Sequence, residues 1–419
     1  MLWVFIGLLL SLGLSFGKVF VSSWEDAVTP VMVDYVKRSL EKAQKEGGSL
    51  FILELNTPGG LETSMREVVQ EFQRASIPVV VYVYPPGGRA ASAGAIITIS
   101  ADVAVMAPGT NIGAAHPVQM GGERMDEAMK EKVLQDMLAF VRSIATQKGR
   151  NAKVIEKMVK ESLSLTPEEA LKEGVIDLIA QNRQDLLRKL DGRKVKKHDK
   201  EITLQTQNVQ VVEVGKSLRE EFFRLITNPT VAYMLLLIGF YGIFFELYNP
   251  GSIIPGSVGV VCFLLGLYGL GIIGINWLGL LLIAAGILLL LLELITPAFG
   301  GLAIAGAIAL AIGSLVLIDP NSPYGDIPIS VIATMVVLTV AFLLFAGRLG
   351  LKAQERKKML GTEGLIGEVG EAYTDFVEGK GKVFLHGEIW NAVSEEDIKK
   401  GQRVEVVEVH GLTLKVKRV

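Results

Sequence analysis

Apolar and polar positions divide the chain into three stretches of different rhythm. From about residue 18 to 230, short β-branched runs alternate with segments whose apolar residues recur every three or four positions. Lys18–Ser22, Ser49–Leu55, Ile77–Tyr84 and Val103–Met106 read as strands. Ala27–Glu46, Glu62–Ala75, Ala93–Ser100 and Asp126–Gly149 read as helices. Strands alternating with helices predict parallel pairing with helical crossovers. Further on, Thr166-Pro167-Glu168-Glu169 reads as a capped helix start and Gly174–Ala180 as a short strand. Ile202–Gln205 and Val209–Val214 are two more strands, before a charged helix that ends near Leu225.

The second rhythm, residues 231–347, is almost continuously apolar. Five segments stand out, at about 232–248, 253–274, 277–295, 300–318 and 328–347. Several approach the ~20 residues a membrane span needs. Arg348, Lys352, Arg356, Lys357 and Lys358 follow the last one, so that end faces the cytoplasm by the positive-inside rule. An exported N-terminal part followed by five spans agrees with this, and four would not. Gly301, Ala305, Ala309 and Gly313 suggest close helix packing. Phe245-Glu246-Leu247-Tyr248-Asn249-Pro250 is echoed by Leu292-Glu293-Leu294-Ile295-Thr296-Pro297. Glu246 and Glu293 are either functional intramembrane acids or, the favoured reading, interfacial helix caps.

The third rhythm is strict alternation. Val404–Val409, Leu412–Val419 and two runs within Gly381–Ala392 predict a small barrel of four or five strands.

Composition changes the picture in few places. The 419 residues carry a net charge of −2, which points to no partner. Cys262 is the single cysteine, so no intrachain disulfide forms. Residues 361–419 hold eight Lys/Arg against eleven Asp/Glu, which argues against nucleic-acid binding. Residues 1–17 carry a short apolar run with Ser15 and Gly17 placed for cleavage: a signal peptide, or an uncleaved anchor.

The candidate chemistry sits at two glycine turns. In Tyr84-Pro85-Pro86-Gly87-Gly88-Arg89-Ala90-Ala91-Ser92-Ala93-Gly94 a strand turns into a helix and presents one hydroxyl at the helix N-terminus. Backbone N–H groups there favour developing negative charge, so Ser92 is a candidate nucleophile. Close helix packing alone would also explain a serine among alanines. Asn56-Thr57-Pro58-Gly59-Gly60 is a similar turn. The N–H groups of Gly59 and Ala93 could together form an oxyanion hole. Periodicity does not choose between Lys130 and Lys132 as a base, and either could be an ordinary solvated lysine.

Thr57-Pro58-Gly59-Gly60, the Ser92 stretch, Ala107-Pro108-Gly109-Thr110-Asn111-Ile112-Gly113-Ala114-Ala115 and Ser164-Leu165-Thr166-Pro167-Glu168-Glu169-Ala170-Leu171-Lys172 resemble the long form of the NfeD family. Its N-terminal domain is similar to the Clp and signal-peptide-peptidase serine proteases. The resemblance implies a Clp/crotonase-like α/β superhelix, a multi-span helical membrane domain and a small all-β OB-fold barrel. It implies a Ser–Lys dyad, Ser92 with Lys132, and Gly59 as the oxyanion glycine. His116 is the alternative base, because Ala114-Ala115-His116-Pro117 is similar to the Clp histidine context. The matching acid position, however, is Ser162. A histidine base loses much without its orienting carboxylate.

The implied domains are 1–17 leader or anchor, 18–226 protease, 231–347 membrane, 348–360 basic linker and 361–419 OB-fold. The expected activity is an ATP-independent membrane-bound serine endopeptidase that needs no cofactor or metal. Its expected substrates are apolar segments of membrane-associated proteins, notably a stomatin- or prohibitin-like partner. A homo-oligomer is expected, with the protease domain extracytoplasmic and the barrel cytoplasmic. The alternatives are a non-catalytic scaffold for a stomatin-type complex and crotonase-type thioester chemistry.

Overall fold

A computed structural model describes residues 17–117, 126–248, 253–296, 300–318, 324–357 and 362–419, with Gly251 and Ser322. The expected leader, but for Gly17, and residues 118–125 lie outside the described residues. The chain divides into two compact units, residues 1–287 with 306–336, and residues 288–305 with 337–419.

In chain order the first unit begins with β1 (Lys18–Trp24), α1 (Pro30–Lys45), β2 (Gly48–Leu55), α2 (Glu62–Arg74) and β3 (Val79–Val83). Then come β4 (Arg89–Ala91), α3 (Ala93–Ser100), β5 (Val103–Met106), β6 (Asn111–Gly113), α4 (Glu127–Gln147) and α5 (Ala152–Lys160). β7 (Ser164–Leu165), α6 (Pro167–Lys172), β8 (Leu178–Ile179), α7 (Arg183–Leu190), β9 (Lys194–Lys197), β10 (Lys200–Thr203), β11 (Gln210–Glu213) and α8 (Leu218–Ile226) complete the α/β part.

Its main sheet has the order β11-β1-β2-β3-β5-β8 and is parallel throughout. Both faces are covered, which is why the strands are apolar at nearly every position. Phe20, Phe51, Leu53, Val79 and Val81 face the larger core with α1 to α5. Val19, Val21, Leu50, Ile52, Val80 and Tyr82 face a smaller core with α7 and the β9–β10 hairpin. A second small sheet, β4-β6-β7, carries the two glycine-rich loops.

α1 starts at Pro30, three residues later than the periodicity suggests. Val28 pairs with Gly60 instead, and Thr29 caps the helix by accepting from the Met32 N–H. The Thr166 cap is a full capping box with Glu169.

Five apolar helices follow: α9 (Pro229–Tyr248), α10 (Ile254–Ile273), α11 (Trp277–Ile295), α12 (Gly301–Val316) and α13 (Ile329–Lys357). Pro229–Leu247 and Ile254–Ile273 are long and apolar enough to cross a membrane; the other three hold shorter apolar stretches. Glycines set the packing distance. A Cβ on Gly239 would meet the Phe263 backbone at 2.3 Å, and one on Gly286 would meet Leu310 N at 2.6 Å. On α12 the buried stripe is Gly306, Leu310 and Gly313, spaced four and three apart. Gly301 and Ala305 are exposed, so of the four expected packing residues Gly313 is the one on the buried face. At the other face of the bundle α8 sits on α10, where a Cβ on Gly269 would lie 2.3 Å from Ile226 O. Arg38 on α1 holds Glu220 on α8 at 2.7 Å.

In the second unit, Glu293 accepts from Gly300 N at 2.8 Å and Leu302 N at 3.1 Å, and so caps α12. Glu246, in the first unit, similarly accepts from Gly251 N at 3.3 Å. The capping reading thus fits Glu293, whereas Glu246 reaches no helix N-terminus and its Oε2 is buried with no partner among the described residues. β12 (Val369–Ala372), β13 (Lys380–Leu385), β14 (Glu388–Val393), β15 (Arg403–His410) and β16 (Thr413–Arg418) form a closed barrel in the order β12-β13-β14-β16-β15. Val383, Leu385, Val404, Val406, Leu414 and Val416 fill it.

Candidate active site

The two glycine corners meet. After β2 the chain turns at Asn56–Gly60, and after β3 it returns through β4. Thr57 N donates to Arg89 O at 2.7 Å, and Ala91 N donates to Thr57 O at 3.1 Å. Asn56 Oδ1 accepts from Arg89 N at 3.0 Å. Ser92 follows at φ 54° and ψ −119°, a left-handed conformation that costs a non-glycine residue energy. The helix it opens, α3, is buried along its whole length. That helix cannot shift to relieve the turn, and Ser92 N is also fixed by Gly113 O at 2.8 Å.

Gly59 lies against this serine. Its φ is +120°, and a Cβ there would come within 2.7 Å of Ser92 Cβ and 3.2 Å of Oγ. Two properties thus require glycine at this position. Gly94 packs on Thr57, with 2.4 Å between an added Cβ and Cγ2. Gly113 at φ +138° is pinned against Leu163 O in the same way. Thr57, Gly60 and Gly113 were not singled out for these roles by sequence reasoning. The loop motifs contain them, but which one touches Ser92 depends on the sheet β4-β6-β7.

Ser92 and Ala93 open into a cleft of about 1240 Å³. Met65, Ile96, Leu134 and Met137 give it an apolar floor, and Glu25, Asp26, Glu62, Glu127 and Glu131 make its rim acidic. Arg89 and Lys130 are the cations that line it among the described residues. The Gly59 N–H is engaged by Thr57 Oγ1 at 3.2 Å. Those of Gly60 and Ala93, both in the lining, meet no acceptor among the described residues.

His116 lines the cleft, with Nδ1 3.0 Å from Val159 O. A proton on Nδ1 would leave Nε2 as the basic nitrogen, but a carbonyl stands where a triad has its carboxylate. Ser162 occupies the expected acid position, exposed and with φ 55°. Lys130 pairs with Glu127 at 3.1 Å. Lys132 is exposed and outside the cleft lining, although its neighbours Glu131 and Val133 line it. To act as a base it would have to be desolvated beside Ser92. Burial on α4 begins only at Met137, so a lysine in the first two turns stays hydrated. Among the described residues no group of three or more His, Cys, Asp or Glu is placed to hold a metal ion.

An α/β domain that holds a strained serine over an apolar cleft, followed by a bundle of apolar helices, has the arrangement of a membrane-bound serine protease. Three family descriptions match: the NfeD1b N-terminal domain at 18–212, the NfeD integral membrane domain at 230–348 and the NfeD-like C-terminal, partner-binding domain at 362–418. The chain belongs to the NfeD family. It is 35% identical to the membrane-bound protease PH1510 of Pyrococcus horikoshii over 96% of this chain and 93% of that one. It is 28% identical to the membrane protein NfeD1b of Bacillus subtilis, with the same coverages. A solved structure, the 1510-N membrane-bound stomatin-specific protease as a lysine-to-alanine mutant with a substrate peptide, is 36% identical. It covers 50% of this chain and 97% of its own, with a TM-score of 0.47. ClpP1 from Listeria monocytogenes is 18% identical over 40% of this chain and 94% of its own, with a TM-score of 0.33.

Proposed function

We propose that Ser92 and Lys132 form the catalytic dyad of this protease and that it cleaves apolar segments of a stomatin-like membrane protein. Ser92 Oγ attacks the peptide carbonyl and its proton passes to Lys132. The carbonyl oxygen becomes an oxyanion held by the Ala93 N–H and by the glycine corner, where Gly60 rather than Gly59 has an unengaged N–H in this arrangement. Lys132 then gives the proton to the leaving amine, and water releases the acyl group.

The observation that carries this reading is Ser92, held in a strained elbow with Gly59 against its side chain. The apolar cleft floor supports an apolar substrate. The stomatin specificity is that of the 1510-N protease and is extended here by family membership. A free lysine titrates near ~10.4, so Lys132 must lose water to act as a base. A substrate backbone laid along the start of α4 would exclude that water.

In this reading the protease domain spans 18–226, five helices within 231–347 cross the bilayer, and residues 348–360 link them to the barrel at 361–419. The protease domain is then extracytoplasmic and the barrel cytoplasmic, supported by the basic cluster at 348–358.

The test uses the full chain in detergent with an apolar peptide panel. Ser92→Ala should lower kcat by about 10⁴-fold or more, and Lys132→Ala by a similar factor. Equal cleavage by wild type and Ser92→Ala would remove the nucleophile assignment. No cleavage by the wild type would favour a scaffold.

A further inference from the structure

One wall of the cleft does not come from the protease domain. Ser322, Tyr324 and Gly325, between α12 and α13, line it together with Asp26 and Ser92. This connection is tied to the membrane helices: Asn276 N donates to Leu317 O at 2.9 Å, and Ile275 pairs with Ile318. Asp26 belongs to the other side of the cleft and is held by Arg224 of α8 at 3.2 Å.

Tyr324 Oη is buried and has no hydrogen-bond partner among the described residues. A buried hydroxyl left unpaired costs about 1–3 kcal/mol. Burial, and to a smaller extent the Asp26 carboxylate, hold its pKa above the ordinary phenol value. It therefore stays a neutral O–H donor at physiological pH. A cleft floored with apolar side chains offers an extended peptide few polar contacts, and the peptide's own carbonyls need donors.

We propose that Tyr324 is a substrate-binding residue: its hydroxyl donates to a backbone carbonyl of the apolar peptide bound beside Ser92. The membrane bundle thereby supplies part of the substrate site, and the site selects segments presented at the membrane surface. This rests on the peptidase reading of Ser92 and deepens it.

The test separates the two. In full-length Ser92→Ala protein in detergent, a fluorescein-labelled apolar nonapeptide is titrated by anisotropy. Adding Tyr324→Phe should weaken its binding about five- to ten-fold, the worth of one hydrogen bond. In the Ser92 chain the same change should raise KM by a like factor. It should leave kcat and fluorophosphonate labelling of Ser92 within about two-fold, as expected for loss of uniform binding. Unchanged affinity for Tyr324→Phe overturns the proposal. If the wild type is never labelled and never cleaves, the peptidase reading fails, while the anisotropy result still decides the role of Tyr324. Should Tyr324→Phe not fold, benzoylphenylalanine at position 324 should photo-crosslink the bound peptide. A crosslink confined to the protein itself overturns the proposal equally.

Discussion

Gly59 shows how little room the proposed chemistry leaves. With φ at +120° and Ser92 Cβ 2.7 Å from where a side chain would begin, Gly59→Ala must distort the corner or push Ser92 aside. The expected outcome is near-complete loss of fluorophosphonate labelling and a stability cost of about 1–3 kcal/mol, read by thermal unfolding. A second prediction concerns the base. If Lys132 serves, the rising limb of the kcat/KM profile lies above the range of about 6–7 in which a histidine titrates, and His116→Gln leaves it in place. A limb near neutral pH that disappears in His116→Gln would move the base to His116. Ser92 and Gly59 were legible in the sequence because strand, glycine turn and buried helix follow one another directly. The unengaged N–H of Gly60 was not, because which amide of a glycine pair is free depends on where Thr57 Oγ1 lies. Nor was the hydrated position of Lys132, since the apolar spacing of α4 runs on through Met129 while its burial does not.

At the scale of the element, α7 offers a pH test. Asp185 stands in its first turn, where Lys189, then the Gln181 N–H, hold its carboxyl down at about 2. The folded value lies below the ordinary carboxylate value, so the stabilisation is present above about pH 4 and is lost as pH falls toward 2. Asp185→Asn should cost about 1 kcal/mol at pH 7, after allowance for solvent screening, and flatten the acid limb of the stability curve. In the bundle, Gly286→Val would drive two methyl groups into the α12 backbone and should lower the melting temperature of the detergent-solubilised protein. Elements with a clear apolar pattern were legible: α3 and β5 fall where the sequence places them, and five apolar segments correspond to five helices. The three strands that position Ser92 were not. β4, β6 and β7 have two or three residues each, too few for any alternation to register. Their hydrogen bonds are made between loops that are distant in sequence.

At the scale of the whole molecule, the proposed topology predicts the outcome of labelling from the two sides of the membrane. In a Cys262→Ser chain, a cysteine at Asn208 should react with an impermeant maleimide added to intact cells. One at Leu412 should react only after lysis. The reverse pattern would invert the protein. The order of the three parts could be read from rhythm alone, since two-residue, three-to-four-residue and continuous apolar patterns each occupy their own region. The seating of α8 on α10 could not, because it depends on Gly269 meeting a carbonyl at Ile226.

That seating has a consequence. A glycine contact and the Arg38–Glu220 pair both fasten α8 to its neighbours, and α9 begins at Pro229, so no long linker joins the α/β part to the apolar helices. If Ser92 is the nucleophile and these helices cross the bilayer, as proposed, the height of the scissile bond above the lipid headgroups is set by the protein, and the enzyme works as a ruler. Inserting residues between a substrate's anchor and its cut site should move the cut back toward the anchor by the same number, leaving the stump on the membrane unchanged in length and the released piece longer by that number.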